Sequence, residues 1–280
     1  MKDSLISTEL QQVLSRFRFE KKLGEGAQKV VYLAIAQDEC RYAVKVGRFR
    51  SKSAYERISR EVALLKEIES PGIAQVLDFF IDEKSREFVI IEKFYNGRHL
   101  GDCKLLFLDP NRVISFILSS FKILDPIWSK QIVHRDLKPQ NIIIGRDYMP
   151  TIIDFGIARF LDQTSLTATS ASRGPCTPIY AAREQLTNRK VTIDRRTDFF
   201  ALAVIAAELV GGIHPFSPDA VGNDQDIEEN IIEGIFALPE IALSGNSELK
   251  TFLNKCMQPE PYLRYRDTND ALRGLQSFNL

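Results

Sequence analysis

The sequence predicts an α+β fold in two unequal parts, a small β-rich lobe followed by a larger helical one. Three observations carry that prediction. Residues 19–92 read mostly as short apolar strands interrupted by a single helical stretch, and beyond about residue 95 the apolar spacing turns helical. The chain has 280 residues, 44% of them hydrophobic, which is enough to bury an ordinary core in one large domain or two lobes. A short extended segment, 93–97, joins the two parts, so a cleft between them is the expected ligand site.

Leu5, Ile6, Leu10, Val13, Leu14 and Phe17 recur at helical spacing, so the first seventeen residues read as an amphipathic helix that caps the small lobe. Strands are predicted over 19–24, 29–36, 40–48, 73–81 and 87–92. A helix over 53–68 places Ile58, Val62, Leu65 and Ile68 on one face and ends at Pro71-Gly72. The surest later helices are 111–130, 198–210 and 246–258. The domain reading is an N-terminal extension over 1–16 and one domain over 17–280, with lobes 17–92 and 98–280 about the 93–97 connection.

Composition narrows the function. Lys plus Arg and Asp plus Glu both number 37, so no global field steers the chain to nucleic acid or an anionic membrane. Cys40, Cys103, Cys176 and Cys256 form no CxxC pair, which argues against a zinc site or a disulfide framework and fits a cytoplasmic location. Residues 1–14 hold Lys2, Asp3 and Glu9 and lack the continuous apolar core of a secretory signal. The most apolar segment, 199–213, carries Glu208 and is shorter than the ~20 residues a membrane span needs, so a buried core helix is expected. Residues 164–172, rich in Ser, Thr and Ala, are predicted to be a loop.

The chemistry concentrates in the run His134-Arg135-Asp136-Leu137-Lys138-Pro139-Gln140-Asn141, with Asp154-Phe155-Gly156 after it. Asp136 can accept the proton of an attacking hydroxyl, while Asn141 and Asp154 offer oxygen ligands for Mg²⁺ on a nucleotide's phosphates. Lys138 can neutralise charge that moves onto the γ-phosphate. Upstream, Leu23-Gly24-Glu25-Gly26 lies between two strands, where glycine lets backbone N–H groups approach phosphates. Lys45 ends the apolar run Tyr42-Ala43-Val44-Lys45. Glu61, mid-helix, is preferred as its partner over Glu56, near the helix start, and Glu67, near the Pro71 break.

In order and spacing these motifs resemble a protein kinase over roughly residues 17–275. The resemblance implies the bilobal kinase fold and further roles. Lys45, fixed by Glu61, would hold the α and β phosphates. Val31, Ala43 and Ile143 would sandwich adenine, Ile91 would stand at the gatekeeper position, and Glu92 and Phe94 would offer backbone groups. His134 and Phe155 would join the core spine with Leu65. Asp198 would cap backbone N–H groups of the catalytic loop, and Glu184 would pair with Arg264. Thr177 would line the substrate platform beside Asp136 and Lys138. Arg135 would be balanced by a phosphate on the activation loop, at Thr167, Thr169, Ser170 or Ser172, with Thr169 the first choice.

Three positions depart from the family pattern. Lys29 replaces the third loop glycine, Cys176 a glycine and Arg183 a proline. The implied function is transfer of the γ-phosphate of ATP to protein serine or threonine hydroxyls, with Mg²⁺ or alternatively Mn²⁺. Activation by autophosphorylation through a transient homodimer is implied, in an enzyme similar to bacterial eukaryotic-like kinases. The alternatives are a nucleotide-binding pseudokinase scaffold, motivated by the three departures, and a small-molecule phosphotransferase.

Overall fold

The computed structural model describes residues 7–26, 29–68, 70–155 and 178–275; the side chains of Ser53, Arg57, Glu61 and Lys190 lie outside the description. Two compact units are formed, one from Met1–Ser70, Ala74–Tyr95 and Asp154–Cys176, the other from Pro71–Ile73, Asn96–Ile153 and Thr177–Leu280.

The first unit begins with helix α1 (Thr8–Leu14), whose N-terminus is capped by Ser7 Oγ accepting from the Leu10 N–H. An antiparallel sheet follows, built from β1 (Phe17–Glu25), β2 (Lys29–Ala36), β3 (Arg41–Arg48), β4 (Val76–Asp82) and β5 (Glu87–Lys93) in the order β1-β2-β3-β5-β4. Leu10 and Val13 of α1 cluster with Ala34, Val44, Val89 and Ile91, so the helix covers one sheet face. Helix α2 (Lys52–Lys66) starts at Ser51, which accepts from the Ala54 N–H, and buries Ile58, Val62 and Leu65. The strand expected from Ile73 starts at Val76; Ile73 instead makes an isolated parallel bridge to Ile152.

Strand register decides which residues share the sheet's other face. Val31 lies opposite Lys45, Ala43 opposite Glu92 and Lys45 opposite Ile90. Directly opposed residues of an antiparallel pair point the same way, so Val31, Ala43, Lys45, Ile90 and Glu92 face one side and Val44 and Ile91 the other.

The second unit holds β6 (Arg98–His99), α3 (Pro110–Ser129), β7 (Ile142–Ile144), β8 (Pro150–Ile152), α4 (Arg183–Leu186), α5 (Arg195–Gly211), α6 (Pro218–Val221), α7 (Ile227–Glu233), α8 (Ser247–Cys256) and α9 (Thr268–Arg273). Helix α5 holds all but the last two residues of the apolar segment and is buried from Thr197 to Ala207, between an Asp194 cap and Gly212 in the left-handed region at φ 73°. Phe121 and Trp128 of α3 pack on Phe199 of α5 at centroid distances of 4.7 and 4.9 Å, and Phe121 reaches Phe252 of α8 at 5.8 Å. Among the described residues no helix is long and apolar enough to cross a membrane.

His214, just beyond α5, is expected to give this unit a pH dependence. Its ring is buried, Nε2 donates to the Ile179 carbonyl at 3.0 Å and Nδ1 accepts from the Phe216 N–H at 3.3 Å. Accepting at Nδ1 requires the neutral ring, and burial lowers its pKa from 6.5 to about 4. On acidification the unfolded chain therefore takes up the proton first. The stability from the neutral ring is complete above about pH 6.5 and is lost progressively toward pH 4. Urea midpoints measured across this window are expected to fall in the native chain and to fall less steeply in His214→Phe; parallel slopes would assign the loss to other groups.

Candidate active site

In the first unit, four charged side chains converge. Lys45 Nζ of β3 lies 2.5 Å from Glu92 Oε1 of β5 and 2.7 Å from Asp154 Oδ1. Lys29 Nζ, from the start of β2, lies 2.6 Å from the same Asp154 oxygen. The strand register explains the convergence, because Lys29, Lys45 and Glu92 project from one sheet face. Asp154 is held with φ at 62°, in the left-handed region that non-glycine residues seldom adopt.

The cluster's electrostatics follow from burial and mutual charge. Burial works against the charge on Lys45, yet Asp154 and Glu92 hold its ammonium above the ordinary lysine value. Burial also opposes ionisation of Asp154, but Lys45 and Lys29 hold its carboxyl well below the usual carboxylate range. Glu92 moves the other way, because burial and the Asp154 charge together outweigh the pull of Lys45.

Two expectations change here. Ile91 does not face this cluster; its side chain belongs to the apolar face under α1, and Glu92 is the residue that points inward beside Ala43 and Lys45. The physical reason is strand alternation, since adjacent residues of β5 must point to opposite faces. Glu92 also contributes its carboxylate rather than backbone groups alone. Glu61 lies in α2, with its side chain outside the described residues.

Of the other residues expected at a nucleotide, Leu23, Val31 and Ala43 lie in β1, β2 and β3, and Phe94 follows β5. Val31, Ala43 and Phe94 are half-buried and Leu23 is exposed; the Phe94 N–H donates to the Arg41 carbonyl at 3.4 Å. Among the described residues, a Cβ on Gly24 would meet nothing within 4 Å, and one on Gly26 only the Lys29 carbonyl at 3.9 Å. Neither glycine is required by crowding among the described residues, and the open approach would suit a phosphate at nearby backbone N–H groups. Leu65 and Phe155 are buried.

In the second unit the loop at 132–138 is held from below by Asp198, in the first turn of α5. The Asp198 carboxylate accepts from the His134 N–H at 2.8 Å, the Arg135 N–H at 3.0 Å and Trp128 Nε1 at 2.8 Å. Burial raises its pKa against the pull of these donors. His134 is fully buried, with Nε2 donating to the Ile153 carbonyl at 3.0 Å. Arg135 takes φ of 64°, and its carbonyl accepts from Gln185 Nε2 at 2.8 Å. Leu137 is buried, and Pro139 opens a short 3-10 turn, Pro139–Asn141, that leads into β7.

That turn brings three predicted residues together. Asn141 Nδ2 donates to the Asp136 carbonyl at 2.8 Å and to Asp136 Oδ2 at 3.0 Å, and Lys138 Nζ lies 3.0 Å from the same Oδ2. Asn141 is buried with its amide nitrogen committed to Asp136, so its oxygen is the atom left for a cation. Ile143 of β7 is half-buried. An amide oxygen such as that of Asn141 and a carboxylate such as that of Asp154 are each donors of the kind a hard divalent ion takes, and Asp154 already attracts two ammonium groups.

Glu184 and Arg264 form a bidentate pair at 2.8 and 3.0 Å, with side chains 1% and 0% exposed. Thr197 Oγ1 donates to Glu184 Oε1 at 2.7 Å, and Arg264 also donates to the Gln258, Arg196 and Pro259 carbonyls. Arg183, where the family pattern has proline, pairs with Glu260 at 2.9 Å, as Arg189 does at 3.2 Å. Thr167, Thr169, Ser170, Ser172, Cys176 and Thr177 lie outside the described residues.

Sequence reasoning missed the inward carboxylate of Glu92 and the ion pair of Lys29 with Asp154. The signal for both was strand parity. Pairing 41–48 against 87–93 puts Glu92, not Ile91, on the lysine's side, and counting back from Val31 puts Lys29 there too.

Comparison with known proteins gives the same family throughout. A probable serine/threonine-protein kinase of Clostridium perfringens is 27% identical over 272 residues, covering 94% of this chain and 38% of that protein. Myosin light chain kinase A of Dictyostelium discoideum is 30% identical over 275 residues, covering 94% of this chain and 87% of its own length. PknB, a probable serine/threonine-protein kinase of Lactococcus lactis, is 30% identical over 220 residues, covering 73% of this chain and 33% of its own. The chain thus spans less than half the length of these two bacterial relatives. With residues 17–273 matching the protein kinase domain, and a five-stranded sheet and a helical unit carrying its motifs, this chain belongs to the protein kinase domain family.

Proposed function

We propose that the chain transfers the γ-phosphate of ATP to serine or threonine hydroxyls of proteins. The observation that carries this reading is the carboxylate of Asp136, set between Lys138 and Asn141 on a loop tied to buried Asp198. Asp136 positions the hydroxyl and takes its proton, and Lys138 lies where it can offset charge on the transferred group. Lys45, steadied by carboxylates, holds the nucleotide's phosphates. The metal-ligand roles fall to Asn141 and Asp154, and a bound Mg²⁺ or Mn²⁺ would supply charge neutralisation on the phosphate oxygens. The names of the clostridial and lactococcal relatives support serine/threonine specificity.

The finer parts of the reading are proposals of the same kind. The chain acts in the cytoplasm and becomes a phosphoprotein by trans-autophosphorylation in a transient homodimer. Thr169 is the first acceptor, and Thr167, Ser170 and Ser172 are the others. Arg135 is the cation that the new phosphate would meet.

Incubation with Mg²⁺ and γ-labelled ATP, with labelled residues mapped by mass spectrometry, tests both levels. Label within 167–172 that disappears in Asp136→Asn is the expected result. An Asp136-dependent label on added protein but none within 167–172 would remove autoactivation while keeping the kinase. ATP binding without any labelling would favour a nucleotide-binding scaffold.

A further inference from the structure

Lys29 and Lys45 place two ammonium groups on a single oxygen of Asp154, at 2.6 and 2.7 Å. Like charges so close repel strongly in a partly buried setting, and the arrangement stands because Glu92 and Asp154 together balance them. The two lysines are not equivalent. Lys45 has Glu92 as a second carboxylate, both side chains no more than 7% exposed. Lys29 is drawn to Asp154, and its side chain keeps 17% exposure.

Lys29 is also well placed to move. It opens β2, whose partner β1 ends in Gly24-Glu25, and Gly26 N–H donates to its carbonyl at 2.9 Å, so its backbone is part of the hairpin. Its cross-strand partner is Gly47, which leaves the space beside its long side chain free of an opposing one. When Asp154 turns to a divalent cation, Lys45 keeps Glu92, and Lys29 loses the carboxylate that neutralises it.

We infer that Lys29 is a second phosphate-binding lysine of the nucleotide site, held on Asp154 and transferred to a nucleotide phosphate when metal and nucleotide bind together. The inference rests on the nucleotide-dependent reading given above. A flexible ammonium on the hairpin beside the glycine turn suits a phosphate oxygen, which restores the charge balance that Asp154 no longer provides.

Isothermal titration calorimetry of the full chain tests it, with adenosine and with ATP in Mg²⁺, comparing native, Lys29→Met and Lys29→Arg forms. Lys29→Met is expected to weaken Mg²⁺·ATP binding by at least about tenfold, roughly 1.4 kcal/mol, while adenosine binding is retained and Lys29→Arg recovers most of the loss. Equal or tighter Mg²⁺·ATP binding by Lys29→Met would overturn the inference, leaving Lys29 as a plug on the metal carboxylate. An equal loss of adenosine and ATP binding would also overturn it, because the lysine would then be holding the unit together. The expected pattern in a chain that transfers no phosphate to protein would uphold the Lys29 assignment and strike the kinase reading alone.

Discussion

Asp136→Asn is expected to lower the rate of phosphoryl transfer by about 10²- to 10⁴-fold, the usual contribution of a positioned general base. The substitution keeps the side chain's shape and an oxygen that can still accept from Lys138, which lies 3.0 Å from Asp136 Oδ2. What it removes is the basic site for the hydroxyl proton and the negative charge beside Lys138. The loop itself should persist, because its anchors are the Asp198 carboxylate on the His134 and Arg135 N–H groups and the Asn141 bond to the Asp136 backbone carbonyl. Single-turnover kinetics with saturating Mg²⁺·ATP, paired with calorimetric ATP affinity, separate the two effects. Loss of transfer with affinity retained is the expected outcome; near-native transfer would remove Asp136 from the role of base.

Arg264→Met is expected to destabilise the chain by about 3–5 kcal/mol, the cost of leaving one member of a buried ion pair without its partner. Glu184 would keep the Thr197 hydroxyl as a donor but lose both guanidinium bonds. Three backbone carbonyls, of Gln258, Arg196 and Pro259, would lose a donor in the same step, as would the Phe200 ring its cation at 4.9 Å. Denaturant unfolding measures the loss, and a double-mutant cycle with Glu184→Leu apportions it. The double variant should recover part of the stability, because a buried pair replaced by apolar groups is often close to neutral. A loss below about 1 kcal/mol in Arg264→Met would mean that water or another cation replaces the arginine.

The helices and strands were legible because each follows from local pattern. Apolar spacing marked 111–130, observed as Pro110–Ser129, and the β-branched runs marked 29–36, observed as Lys29–Ala36. The run from His134 to Asn141 stood out for a different reason: its residues lie within eight positions, so chemistry and spacing could be read together. The start of β4 was misplaced by three residues, since Ile73 is apolar like a strand residue but spends its backbone on a single bridge to Ile152.

The sequence by itself determined the family and the two structural characters of the chain, and it singled out Asp136, Lys138, Asn141, Lys45 and Asp154 as the residues proposed to carry the chemistry. Tertiary structure alone decided which charges meet. Glu92 and Lys45 are far apart in sequence, and Lys29 and Asp154 farther still, yet antiparallel register and the left-handed backbone at Asp154 accompany their approach to bonding distance. Local pattern fixes a strand's alternation, but a one-residue change in register or phase would reverse every side chain's face. Only the paired sheet could therefore turn Ile91 outward to the apolar cover of α1 and Glu92 inward to the lysine.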